Sequence, residues 1–240
     1  MTNPAATSPP DSASIWEDFA DIVIEPVAVF SRRRDGKFGL VLLILAIIAT
    51  VLSVGLHNAL APIIDAETSR ATAALLARNP QLSADQLSTG QNFMEKFAMY
   101  GAGVFFCIGV LISGVVVWIA SRIVGAKESL AVAMMIATYS QFPRLIQIIS
   151  NGVQGLLLSP NSITSQYSVS LSPARFLDPG TNPLILSLLG ALDVFTLWSV
   201  ALIGVGIYIT ARIGKDRAAL AAALVWVAGL VPAVFAALRS

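Results

Sequence analysis

Five apolar runs dominate the chain, at about 39–60, 97–123, 129–149, 183–211 and 218–238. A helix needs about 20 mostly apolar residues to cross roughly 30 Å of hydrocarbon, and each run has about that length. Pro62 closes the first run, and the interval 65–95 reads as a mixed loop with short helices. A second loop, 151–182, is rich in Ser, Pro and Asn. The pattern predicts an all-α integral membrane protein, a five-helix transmembrane bundle over 39–238. The third run is the weakest, and without it four spans remain.

An N-terminal amphipathic helix is expected before the bundle, at 14–31. Ser14 and Glu17 have capping-box spacing, in which each side chain satisfies a backbone N–H of the other. Ile15, Phe19, Ile22 and Val23 recur at helical spacing beside Trp16, while Glu17, Asp18, Asp21 and Glu25 fall largely elsewhere. Pro26 should kink the helix or end its first part. Two placements stay open: flat in the membrane interface, or packed on the cytosolic end of the bundle. The acidic face suits anionic lipids poorly. Residues 1–13 are polar, lack the basic start and apolar core of a signal peptide, and are expected to form a disordered tail.

Composition agrees with a membrane protein. Apolar residues make up 56% of the chain, charged residues 12%, and mean hydropathy is +0.77. The net charge of +1 argues against a nucleic-acid partner, which rewards a strongly basic face. The single cysteine, Cys107, and the single histidine, His57, exclude an intrachain disulfide and multi-ligand Cys or His metal sites. No phosphate-binding loop, dinucleotide fingerprint, zinc-protease motif or nucleophile elbow occurs. The expectation is no enzyme, no cofactor and no metal.

Orientation follows from Lys and Arg in the short loops. With the N-terminus inside, nine lie inside (Arg32, Arg33, Arg34, Lys37, Arg122, Lys127, Arg212, Lys215 and Arg217) and five outside (Arg70, Arg78, Lys96, Arg175 and Arg239). Five spans then put the C-terminus outside, whereas four return it inside.

Two charges fall deep within spans, Arg144 and Asp193, and such residues cost at least about 2.5–3.5 kcal/mol on insertion scales. At about 1.5 Å per residue, Arg144 lies about 22 Å from the inner edge and Asp193 about 15 Å from the outer. The depths allow an ion pair; alternatively Arg144 reaches outward alone and Asp193 bonds to a backbone or hydroxyl group. Ser140, Arg144, Gln147, Asn151 and Gln154 are spaced 4, 3, 4 and 3 residues apart, on one helical stripe. The stripe lines a polar cavity or faces another helix, or its last turns are simply wet. Pro143 within it predicts a kink. The candidate intramembrane polar site is therefore Arg144, Asp193, Ser140, Gln147, Tyr139 and Pro143. Gly101, Gly103, Gly109, Ser113 and Gly114 on span two, with Gly204 and Gly206 on span four, predict close helix packing. Trp118, Trp198 and Trp226 read as packing or interface residues, and His57 as a local hydrogen-bonding residue.

Several segments together resemble the Yip family of Ypt/Rab-interacting polytopic membrane proteins, in its bacterial branch. IEPVAVF before span one is similar to the family's Pro-x-x-x-Phe segment, at Pro26 and Phe30. ATYSQFPRLI is similar to its small-residue run followed by Tyr139 and Pro143. LDVFTLWSVALIGVGI carries Asp193, Trp198 and Gly204 in the family's order. The resemblance covers about 15–238 and implies a bacterial cytoplasmic-membrane protein without a defined reaction. Eukaryotic members associate with Rab-type GTPases, but their Asp-Leu-Tyr-Gly-Pro segment is missing here, which makes a GTPase partner doubtful.

The expected function is a non-enzymatic membrane protein that organises partners or lipids. The bilayer is its first partner, with a membrane protein or a second copy of the chain as further options. The alternative is a transporter or permease component using the polar stripe and Asp193.

Overall fold

The structure, a computed structural model, describes residues 14–79, 81 and 84–238, and every regular element among them is helical. The expected tail, 1–13, lies outside the described residues. Helix α1 (Ile15–Ile24) starts at Ser14, which exchanges capping bonds with Glu17: Ser14 N–H donates to the Glu17 carboxylate at 2.9 Å, and Glu17 N–H donates to the Ser14 hydroxyl at 3.3 Å. Pro26 opens α2 (Pro26–Arg32), where a missing N–H leaves no intrahelical bond unmade. The two short helices dock on the bundle. Ile22, Val29 and Phe30 are fully buried, while Trp16 and Ile24 remain exposed.

Helix α3 (Gly39–Gly55) ends at Leu56, and the chain bends by 80° into α4 (His57–Arg78). Pro62 therefore sits inside α4 instead of closing the first span. The Ala-rich run 71–78 has high helix propensity and carries α4 on. With α5 (Ala84–Tyr100), it makes the interval 65–95 largely helical instead of a mixed loop. Gly101 separates α5 from α6 (Ala102–Ile123).

Among the described residues, three helices are long and apolar enough to cross a bilayer: α6, α10 (Val194–Ala211) and Lys215–Phe235 of α11 (Lys215–Leu238); α3 and α4 together make a fourth, bent candidate. Val104, Ile108, Ile112 and Ile119 of α6 are exposed, a surface that hydrocarbon rather than water would cover. The runs 129–149 and 183–211 are each broken. The first holds α7 (Leu130–Tyr139) and α8 (Phe142–Leu157), which meet at Ser140 and Gln141. The second holds α9 (Pro183–Gly190) and α10, separated by residues 191–193.

The core surrounds α7, which is buried from Ala133 through Tyr139 and so shows no apolar–polar period. Val117, Ile207, Ala221 and Leu45 belong to the same cluster. Helix α6 packs on α7, α3 and α11, and α10 on α11, α2 and α8. Glycines permit the approach of α6 to α3 and of α10 to α7. A Cβ on Gly103 would stand 2.5 Å from the Thr50 hydroxyl and 2.7 Å from the Ala46 carbonyl; one on Gly206 would meet Ile136 at 2.7 Å. Gly109 differs: nothing lies within 4 Å of its Cβ position, so the Gly109–Ser113 step makes no close contact there.

Candidate functional site

The site is built where the two broken runs meet. Asp193 is the N-cap of α10, with extended backbone (φ −62°, ψ 139°), not a mid-helix charge. Its carboxylate accepts from Phe195 N–H at 2.9 Å, as a capping side chain does for the orphan donors of a helix start. It also accepts from Leu171 N–H at 2.9 Å and from the Gln147 amide at 3.2 Å. Leu171 in turn accepts from Val194 N–H at 3.2 Å. Asp193 is 3% exposed, and these three donors compensate its burial.

Arg144 donates to the Gln147 side-chain oxygen at 3.3 Å. Among the described residues no ion pair within 4.0 Å joins Arg144 to Asp193; Gln147 stands between them and bonds to both. The direct pair is thus replaced by an amide relay, because two backbone N–H groups already occupy the carboxylate. Pro143 occupies the first turn of α8, where it starts a helix and breaks none. That break takes Ser140 off the stripe. Ser140 is fully buried at the C-cap of α7 and its hydroxyl has no hydrogen-bond partner. Gln154 holds the loop 158–182 instead: it donates to the Val169 carbonyl at 2.7 Å and accepts from Arg175 at 2.6 Å.

Arg144, Gln147 and Asn151 line one wall of a 570 Å³ cavity, and Asp193, Thr196 and Ser199 line another. Gln166, Tyr167 and Ser170 of the loop roof it, and Trp226 of α11 closes a side. Glu67 holds the roof by accepting from Gln166 N–H at 2.7 Å. Trp226 donates its indole N–H to the Ala191 carbonyl at 3.0 Å, which fixes α11 to the helix break. The cavity is bounded by the start of α10 and the second half of α11, so it lies at the end of the bundle away from the basic turn 212–217.

Tyr139 belongs to a different cluster, which the sequence did not reveal. Asp18 is fully buried and accepts from Arg32 Nε at 2.7 Å, Arg33 Nε at 2.6 Å and the Tyr139 hydroxyl at 2.7 Å. Asp21 accepts from Arg32 at 2.5 Å. Burial opposes the charge on both arginines, but donation to Asp18, and for Arg32 also to Asp21, outweighs it and raises both pKa values. Arg34 donates to the Ile209 carbonyl near the C-terminus of α10, where the helix dipole favours a cation. Phe30 packs edge-on against Tyr139, with ring centroids 6.5 Å apart. The acidic face of α1 thus meets arginines of its own chain. The available signal was Asp18 and Asp21 standing 11 to 15 residues before Arg32 and Arg33, across the break at Pro26.

Apolar helices of spanning length around one core define an integral membrane protein, with the lipid bilayer as its environment. The family profile of the Yip1 domain matches residues 20–236. The chain belongs to that family. No curated protein and no solved structure gives a match.

Proposed function

We propose that this protein is a non-enzymatic component of a bacterial cytoplasmic membrane that organises lipids or membrane partners by holding a polar ligand in the cavity between Arg144 and Asp193. One observation carries the reading: a 570 Å³ cavity in the bundle whose partly apolar lining includes Arg144, Asp193 and several amides and hydroxyls. Ligand pockets commonly span about 300–1,000 Å³. Its lining favours binding over chemistry, since Asp193 is engaged as a helix cap and the remaining polar groups are mainly amides and hydroxyls. In this reading the broken pair α7 and α8 forms a fifth span, the N-terminus is cytoplasmic, and the cavity opens outward.

A second reading, a transporter component, draws support from the helix breaks at 140–141 and 191–193. Discontinuous helices whose ends meet at a polar site are a recurring transporter device. Native mass spectrometry of protein released gently from its own membrane tests the ligand-holding reading. The expected result is a retained small-molecule or lipid adduct that Arg144→Gln or Asp193→Ala strips away. Identical adduct patterns in parent and both variants would refute it. Flux of the identified ligand into proteoliposomes separates the two readings.

A further inference from the structure

The two charged residues of the cavity are in opposite states. Asp193 has three N–H donors on its carboxylate and needs no cation. Arg144 has one hydrogen bond, at 3.3 Å, to the neutral amide of Gln147. Among the described residues no carboxylate oxygen lies within 4.0 Å of it. Arg144 is exposed and lines the cavity, and most of its donor fork has no protein partner among the described residues. Thr196 and Ser187 add hydroxyl side chains to the lining. Gln141 and Asn151 add amide donors to the lining. No other Lys or Arg side chain lines this cavity among the described residues.

We infer that the cavity is an anion site whose ligand presents a phosphate group to Arg144, with Gln141, Asn151 and Thr196 as neutral donors. This rests on the ligand-holding reading above and names the chemistry of the ligand. A guanidinium presents paired N–H groups that match two oxygens of a phosphate, and it is less strongly hydrated than an ammonium, so it gives up less on pairing. The surrounding amides and hydroxyls give further oxygens partners without adding charge. Either a phospholipid headgroup or a free phosphate ester satisfies this chemistry.

The test uses the full chain in detergent and in lipid nanodiscs. Inorganic phosphate should raise the melting temperature saturably at fixed ionic strength, and acetate should do so less. Arg144→Gln should weaken phosphate binding by about ten- to a hundredfold, the usual loss for a charge-assisted hydrogen bond. Arg144→Lys should retain part of the affinity, and Asn151→Ala, which keeps the guanidinium, should weaken binding several-fold. Nanodiscs of phosphatidylglycerol that stabilise the parent over phosphatidylcholine, but not Arg144→Gln, would assign the site to a lipid headgroup. A phosphate effect undiminished in phosphatidylcholine nanodiscs would assign it to a free phosphate. Phosphate responses that are absent, or equal in parent and Arg144→Gln, would overturn the inference. If the native-mass adduct survives that result, the ligand-holding reading stands and only the anion assignment falls.

Discussion

Asp18→Ala is the most informative single change in the N-terminal region. It removes one buried acceptor from three donors, on Arg32, Arg33 and Tyr139. Breaking a buried charge pair costs about 3–5 kcal/mol. Two features lower that figure: the Arg32 and Arg33 side chains are 27% and 23% exposed, and Arg32 keeps Asp21. One feature raises it: the Tyr139 hydroxyl loses the acceptor it has in a buried site, at about 1–3 kcal/mol. A net loss of about 3 kcal/mol is expected. A domain of this size moves about 2–4 °C per kcal/mol, so thermal unfolding in detergent should shift down by roughly 6–12 °C. The loss should be local as well, with α1 and α2 becoming accessible to protease before the bundle does. Tyr139→Phe removes only one donor and should cost about 0.5–1.5 kcal/mol. If Asp18→Ala matched the parent in both melting temperature and protease protection, the clasp would hold nothing and the reasoning would fail.

Asp193→Asn keeps a good capping residue and should lose about 1 kcal/mol, whereas Asp193→Ala, which strands the donors of Phe195, Leu171 and Gln147, should lose more; equal melting temperatures would contradict the capping role. Gly103→Val, which drives a side chain into Ala46 and Thr50, should destabilise by at least about 1–3 kcal/mol, and Gly109→Val, which meets open space, should be near neutral in the same thermal assay. Glu128 is 8% exposed and neither carboxyl oxygen has a hydrogen-bond partner, so Glu128→Gln should raise the melting temperature by the equivalent of about 1 kcal/mol, and a drop would expose a stabilising role for the charge. In a Cys107→Ala background, Asn161→Cys should react with an impermeant thiol reagent in intact cells and Asp216→Cys only after lysis; the reverse would invert the orientation.

Local signals in the sequence were the easiest to read. The Ser14–Glu17 cap involves residues three apart, and its geometry follows from residue types alone. The apolar runs of α6, α10 and α11 are long enough to register whatever they pack against. Helix breaks are harder, because hydropathy averaged along 183–211 hides the point where Asp193 leaves the helix to cap the next one. Gly190 and Asp193, three residues apart, were the only local marks of that break. The stripe through Arg144, Gln147 and Asn151 points into the cavity, but Ser140 does not, because spacing along a stripe holds only while the helix is continuous. Nothing local joins Asp18 to Tyr139, 121 residues later, and that contact exists only because α2 folds α1 back against α7.

The central claim is an open polar cavity in the bundle, and the reactivity of Thr196 tests it most directly. Thr196 lines the cavity, and Ile108, on the exposed face of α6, supplies a control that meets only lipid. In a Cys107→Ala background, Thr196→Cys in intact cells should react with a small, charged, membrane-impermeant thiol reagent. Ile108→Cys should stay unreactive. A Thr196→Cys thiol as silent as Ile108→Cys, in protein that still folds, would mean the cavity is closed to water and would contradict the account.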